Sequence, residues 1–376
     1  MTGSSSNLTT LAVVKYVVFH PLRVAFAVIA GVLLGVACFY AYQVSTAFTA
    51  IASEDFDPDG ARDDIGNEDA DDRNITFVEP TDLDEEPIDM VAFQEELASV
   101  YDITRPFNPR EFSPHSFGEP IPDELYEAYL LLGTDASGYL ADAIILALQP
   151  AGGGRPIMVS LPRDLYVWNV CKETFTRLNA GLGGCSGVAS GPEMMAILVE
   201  DYTGIPIDHL ARINFSGFAR VVDALGGVKV CVDYPTRDLK SHLLIEEPGC
   251  QTVDGTTALA WVRSRHGQEL RNGSWVSVGG SDFGRQGRQQ DVLFQLAGKA
   301  AGFSSPTTLV NTLSAVTGSV RLDSSWSFSS AVSTAWKYRG ISKDSVSRFS
   351  IGVRNYRTPR GAQVLLPTKP FASYLP

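Results

Sequence analysis

The chain has 376 residues, of which 44% are hydrophobic and 19% charged, with a formal net charge of −13. That length buries one sizeable core or two modest ones, and the acidity belongs to one stretch: from Glu54 to Asp89, 16 aspartates and glutamates face two arginines, Arg62 and Arg73, a local charge of −14. The remainder is close to neutral, which excludes a dedicated nucleic-acid binder, because such a domain carries an excess of positive charge.

In chain order, the first predicted element spans a membrane. Val24–Tyr42 (VAFAVIAGVLLGVACFYAY) runs for 19 residues without a charge. This is the length at which a helix crosses the hydrocarbon core, and it exceeds the apolar region of a cleaved signal peptide. Lys15 and Arg23 precede the run and acidic residues follow it, so the positive-inside bias keeps residues 1–23 in the cytoplasm and everything past Tyr42 outside. A buried core helix is the competing reading, disfavoured by the terminal position and the charge asymmetry. Leu11–Val18 is a separate apolar lead-in, broken from the span by His20, Pro21 and Arg23. Residues 43–125 read as an acidic extracytoplasmic stem. Within it, Ser53–Pro87 lacks the apolar surface that offsets ordering entropy, Val91–Tyr101 has the pattern of a short amphipathic helix, and Pro106–Pro122 returns to loop character.

From Tyr126 to Pro376 strand-like and helix-like segments alternate, the pattern of an α/β layered domain. Tyr129–Gly133, Ala143–Leu148 and Ile157–Leu161 are short apolar runs, as expected of strands covered on both faces. Ser190 with Glu193 forms a capping-box signature ahead of a helix that Gly204 and Pro206 end. A strand finishes at Ile213–Phe215, Ser216 is placed to cap a helix through Leu225, Gly226 and Gly227 turn the chain, and Val228–Val232 alternates as a strand. Helices are predicted over Thr257–Arg263, Arg285–Ala301, Ser304–Ser319 and Ser325–Trp336, and a last strand over Ser347–Val353.

Cys38 falls in the predicted span, leaving Cys171, Cys185, Cys231 and Cys250. An even set in an exported domain points to disulfides with three possible connectivities, and proximity favours Cys171 with Cys185 and Cys231 with Cys250. A zinc site is the rival, but no C-x-x-C pair is present and the five histidines are scattered.

The stretch Ala258–Gln290 gathers Arg263, Arg265, Arg271, Arg285 and Arg288. Arg263 and Arg265 close an apolar helical run, while Arg285, Arg288 and Gln289 stand at spacings of three and four on one helix face. Guanidinium forks match phosphate oxygens two at a time, so the group predicts a phosphate or pyrophosphate cradle. Solvated arginines paired with carboxylates are the alternative. Asp135, in L-L-L-G-T-D, and Asp142, in A-D-A-I-I-L, flank a short loop between two strands. That brings both carboxylates to one sheet edge, where oxygen ligands suit Mg²⁺ or Mn²⁺; turn and cap residues are the plainer reading. The segment S-L-P-R-D adds Arg163 at another strand end, with Asp164 in place to position it.

The ordered series L-L-L-G-T-D, D-A-I-I-L, V-S-L-P-R-D, R-L-N-A, I-P-I-D-H, I-N-F-S-G-F, V-V-D-A-L-G-G-V, D-G-T-T-A-L-A-W-V-R-S-R and D-F-G-R-Q-G-R-Q-Q resembles the LytR-CpsA-Psr family of membrane-anchored phosphotransferases, from about Tyr126 to Gly302. The resemblance implies a mixed central β-sheet flanked by helices, with an apolar cavity beside the sheet that holds a polyprenyl chain. It also implies a magnesium-dependent transfer of a phosphoglycan from polyprenyl pyrophosphate to peptidoglycan, on the outer face of the membrane. Asp135 and Asp142 match the metal-binding aspartates. Arg163, Arg263, Arg265 and Arg285 match the pyrophosphate-contacting arginines, Gln289 matches a glutamine near the same group, and Arg177 stands where the family often has lysine. Arg288, on the helix face of Arg285, joins the substrate-binding set.

Three departures stand out, of which the first is a short loop between Asp135 and Asp142. Leu140 occupies the position, two before the second aspartate, where the family commonly has arginine. A Gly- and Ser-rich insertion lies between Arg265 and Asp282, and its Arg271 is a candidate to replace the lost charge. Ile213, Phe215, Phe218, Val222, Leu293 and Leu296 are candidates for the cavity wall or for ordinary core. The rivals to transfer are a hydrolase acting on the same lipid carrier and a lipid-binding or regulatory module without turnover.

Overall fold

The computed structural model describes residues 38–67, 121–135, 138–278, 282–301, 320–338, 341–358 and 361–375, with a few single positions besides. The predicted span from Val24 lies mostly outside these residues. Residues 38–49 are helical, and among the described residues no helix is long and apolar enough to cross a membrane. The Val91–Tyr101 segment and most of Ser304–Ser319 also lie outside the described residues.

After the helix over residues 38–49 come β1 (Ala52–Glu54) and α1 (Pro58–Asn67), then β2 (Tyr126–Thr134), β3 (Ala141–Pro150), β4 (Ile157–Leu161), β5 (Tyr166–Asn169) and β6 (Thr174–Arg177). Helix α2 (Gly191–Thr203) leads to β7 (His209–Asn214), α3 (Phe215–Ala224), β8 (Val228–Val232), β9 (Thr236–Asp238), β10 (Leu243–Ile245) and β11 (Gly249–Val253). Then come α4 (Gly255–Arg263), β12 (Gln268–Arg271), β13 (Ser274–Ser277), the long α5 (Asp282–Ala301), β14 (Val320–Asp323), α6 (Phe328–Lys337), β15 (Ser347–Ser350), β16 (Val353–Arg357) and β17 (Gln363–Pro367).

The central sheet has the order β1-β14-β7-β2-β3-β4-β15. It is mixed: β1 with β14, β2 with β7 and β4 with β15 run parallel, and the other neighbours antiparallel. Alternation along β2 sends Leu130 and Leu132 into a core shared with Ile144, Leu146, Trp168 and the α2 residues Met194 and Leu198. Leu131 goes to the opposite face, packed with Ile145 of β3 and Leu293 and Phe294 of α5. Helices cover both faces, which is why these strands are written as nearly continuous apolar runs.

Helix α2 starts where its capping box predicts, with Glu193 accepting from the Ser190 N–H at 2.7 Å, and it ends at Gly204, whose φ of 73° lies in the left-handed region. Helix α3 starts one residue before Ser216. Its cap is Asn214, whose Oδ1 accepts from the Gly217 N–H at 2.8 Å, since asparagine at the strand end caps as well as serine does. Both disulfides form with the local pairing, Cys171–Cys185 and Cys231–Cys250, the second as a cross-strand pair of β8 and β11.

The acidic stem departs from the expectation of an unstructured spacer over residues 52–67. There β1 adds an edge strand beside β14, and α1 lies on α2 with Ala61 and Ile65 buried, four residues apart. Arg62 inserts between Asp201, at 2.6 Å, and Glu200, at 3.0 Å. Composition averaged over the stretch hides these three residues, which together supply both the apolar face and the compensating charge. Burial pushes the Asp201 and Glu200 carboxyls up against the pull of Arg62. Arg62→Ala therefore strands two buried carboxylates and is expected to lower unfolding free energy by about 3 kcal/mol. Urea titration checks this. The loss should be larger at pH 8 than at pH 5, where the stranded carboxylates take up protons.

Candidate functional site

Small residues open a cavity beside the sheet. Gly133, Ala143 and Ala211 on the sheet face Ala297 and Ala300 of α5, and the space between is about 640 Å³, within the usual range for a ligand site. A Cβ on Gly133 would meet that of Ala143 at 3.1 Å. Ile213, Phe215, Phe218, Leu293 and Leu296 line the cavity, where ordinary core was the plainer expectation. Val222 does not; it is fully buried in a second core with β8, α4 and α5. Phe48 and Ile51 from the segment before β1, Leu322 of β14, and Tyr338 and Ile341 after α6 also line it. None of these was singled out by sequence, because they come from remote segments without a shared motif.

Six charged or amide side chains interrupt the apolar lining: Asp142, Arg212, Asn214, Arg263, Arg285 and Gln289, of which Arg212 is ion-paired to Glu54 at 2.5 Å. Asp142 owes its place to a β-bulge. Gly133 pairs with Ala143 but Thr134 pairs with Ala141, which leaves Asp142 as the extra residue, and a bulge re-aims the side chain it carries. Asp142 makes a direct ion pair with Arg163. Arg163 Nε lies 3.6 Å from Asp164, whose other oxygen lies 3.5 Å from Arg177 Nε. Arg177 thus stands three ion pairs outboard of Asp142, with a further bond of 2.8 Å to the Gln363 carbonyl.

Asp135 follows β2 at the same hairpin end. Its Oδ1 accepts from the Gly138 N–H at 2.9 Å, and its own N–H donates to the Leu140 carbonyl at 3.1 Å. The Leu140 side chain is exposed. Among the described residues no cluster of three or more potential protein ligands could hold a metal. Two carboxylates on one hairpin end nevertheless match magnesium, which binds through one or two carboxylates and takes its other ligands from water and substrate phosphates.

Arg263 closes α4 and lies over the Phe215 ring, 4.3 Å from its centroid, a cation–π contact that orients the guanidinium. Arg285 is buried, at 4% exposure, early in α5, and Gln289 follows one turn on. Arg288 does not join them. Its Nε donates to the Trp261 carbonyl at 3.0 Å, its Nη2 donates to the Ser264 carbonyl, and its guanidinium covers the Trp261 ring. Spacings of three and four fan side chains across about 100° of a helix, so two of the three reach the cavity and the third meets the end of α4. Burial, with Arg285 alongside, lowers the Arg288 pKa.

Arg265 follows Arg263 by two residues, outside the cavity lining. Arg271 is also elsewhere. The Gly- and Ser-rich insertion forms the β12–β13 hairpin, paired to β9, and Arg271 on it is exposed, ion-paired to Glu269 at 2.7 Å and stacked on Tyr234. It supplies no charge in the place of Leu140.

Asp238, on β9, went unnoticed in the sequence. It is fully buried. Its Oδ2 accepts from the Ser264 hydroxyl at 2.8 Å and from the N–H groups of Arg265 at 2.9 Å and His266 at 2.7 Å. Burial acts to raise its pKa, but the His266 N–H, the Ser264 hydroxyl and the N–H groups of Lys240 and Arg265 outweigh that and hold it at about 2. A depressed carboxyl stabilises the fold above its unfolded pKa near 4 and loses that contribution as pH falls through the folded value. The wild type is therefore expected to lose about 2 kcal/mol between about pH 4 and pH 2 that Asp238→Asn does not lose, measured as the difference between their acid-unfolding curves.

Residues 124–371 match the LytR_cpsA_psr family. The probable cell wall biosynthesis protein LcpB of Corynebacterium glutamicum is 34% identical over 200 residues, 49% of this chain and 43% of that protein. The polyisoprenyl-teichoic acid–peptidoglycan teichoic acid transferase TagU of Bacillus cereus is 31% identical over 195 residues, 51% of this chain and 58% of that one. The chain thus spans about half the length of the curated relatives it matches. The solved LytR-Csp2A-Psr enzyme from Actinomyces oris superposes with a TM-score of 0.51 at 26% identity, over 66% of this chain and 90% of that one. The B. subtilis TagV structure, at 21% identity and a TM-score of 0.51 over 65% and 92% of the two chains, agrees in fold.

Proposed function

Because the chain belongs to the LytR-CpsA-Psr family, we propose that it transfers a phosphoglycan from a polyprenyl-pyrophosphate carrier to peptidoglycan, as a magnesium-dependent enzyme anchored in the cell membrane. One observation carries the reading: an apolar cavity whose polar margin includes Asp142, Arg263, Arg285 and Gln289 is the complement of an amphiphile with a diphosphate head and a hydrocarbon tail. The uncharged run Val24–Tyr42 supports the anchor. The two disulfides fit a domain on the outer face, and relatives named for teichoic acid transfer to peptidoglycan fit the substrates.

Arg263 and Arg285 grip the diphosphate oxygens, and Gln289 donates to the same group. Arg265 extends the positive field past the end of α4. Arg163 holds Asp142 in its bulge, and Arg177 steadies Asp164 behind it. Asp135 and Asp142 would hold Mg²⁺, which when bound offsets the charge of the diphosphate. The acceptor hydroxyl oxygen bonds to the glycan-side phosphorus and the bond from that phosphorus to the bridging oxygen breaks. Polyprenyl phosphate departs with that oxygen, and the hydroxyl proton is released. Fixed guanidinium charge in a site shielded from water supplies most of the acceleration, because it needs no reorganisation as charge moves to the leaving group.

The test is to incubate the full chain with a polyprenyl-pyrophosphate glycan, Mg²⁺ and peptidoglycan fragments. Glycan joined covalently to the fragment, with release of polyprenyl phosphate and loss of both on chelation, is the expected result. Free phosphorylated glycan would identify a hydrolase instead, and tight binding without turnover a lipid-binding module.

A further inference from the structure

We propose that Asp238 is a positioning residue for this site: it fixes the main chain from Ser264 to His266 and through it the arginines Arg263 and Arg265, while Arg288 grips the same turn from its carbonyl side. The inference rests on the reading of those arginines as diphosphate ligands. Helix α4 ends at Arg263, and Ser264 is already extended, with ψ of 128°. The two arginines therefore straddle a helix end, where main-chain groups lose their helical partners and where side-chain direction depends on how the turn is held.

The turn is held from two sides. One oxygen of Asp238 collects the Ser264 hydroxyl and the N–H groups of Arg265 and His266, and the other collects the N–H groups of Lys240 at 2.9 Å and Ser241 at 3.3 Å. Three consecutive residues converging on one buried oxygen have little freedom left in φ and ψ. On the other side the Arg288 fork spans the Trp261 and Ser264 carbonyls. Strand β9 carries Asp238 and also pairs with β12, just past the turn, through Arg237 and Gln268. The insertion thus braces the clamp rather than supplying charge to the cavity. Asparagine at 238 would turn an NH₂ group toward donors and release the turn without emptying a core. A shift of about 1 Å in a reacting group costs on the order of 10²-fold in rate.

The experiment compares the full wild-type chain in detergent micelles with Asp238→Asn. Expected are a loss of glycan transfer on the order of 10²-fold, a weaker affinity for inorganic pyrophosphate, and unchanged binding of polyprenol, which has the tail and no diphosphate. In an Arg263→Ala/Arg265→Ala background the same substitution should cost nothing further. Ser264→Ala removes one donor and leaves the buried charge, and it should weaken pyrophosphate binding severalfold even if Asp238→Asn folds poorly. Unchanged pyrophosphate affinity in both variants would overturn the proposal, and so would losses that multiply in the double-alanine background. If the wild type transfers no glycan, the transfer reading fails while the pyrophosphate measurement still decides the clamp.

Discussion

Arg285→Ala is expected to lower glycan transfer by about 10²–10³-fold, the range for removing one preorganised donor from a developing anion, while leaving polyprenol binding as it was. Arg285 is buried where α5 begins to line the cavity, so its charge acts across a medium of low dielectric. In such a place a guanidinium is worth far more to a diphosphate than the same group in water. The loss should fall on turnover more than on apparent substrate affinity, since the tail remains bound by the apolar wall. Arg285→Lys should recover part of the rate, because an ammonium keeps the charge but not the two-pronged geometry. Single-turnover kinetics with saturating carrier separates the two effects. An equal loss in Arg271→Ala, out on the β12–β13 hairpin, would show that net charge rather than placement is being measured.

The second large effect concerns the tail. Ala297 lines the cavity from α5 opposite the small sheet residues Gly133, Ala143 and Ala211. Ala297→Trp grows into the cavity rather than into packed side chains, so the fold should tolerate it better than an overpacked core would. Carriers with long isoprenoid chains should lose on the order of tenfold or more in kcat/KM relative to carriers with short ones, the scale on which apolar pockets discriminate by size. Chemical denaturation should change little. A uniform loss for all chain lengths would mean that the tail lies elsewhere.

What the sequence makes legible is local. The apolar runs of β2, β3 and β4 announce covered strands, Ser190 with Glu193 announces the start of α2, and the hairpin spacing of Asp135 and Asp142 announces two carboxylates at one edge. Each signal is a period or a spacing within a few residues. What stays hidden depends on partners far along the chain. Arg62 looks like a stray base in an acidic run until Asp201 and Glu200, about 140 residues on, are beside it. Arg288 has the spacing of a cavity residue but meets the end of α4. The aiming of Asp142 depends on a single register slip that no pattern in β3 marks. Asp238 sits in a P-T-R-D segment that reads as a turn, and only the fold brings Ser264, Arg265 and His266 onto its carboxylate.

The most direct measurement is a crystal structure of the chain with a polyprenyl pyrophosphate bound. Diphosphate oxygens are expected at hydrogen-bonding distance, about 3 Å, from the guanidinium groups of Arg263 and Arg285, with the hydrocarbon running between the β2–β7 face of the sheet and α5. A diphosphate seated away from both arginines, or a tail lying outside that cavity, would contradict this.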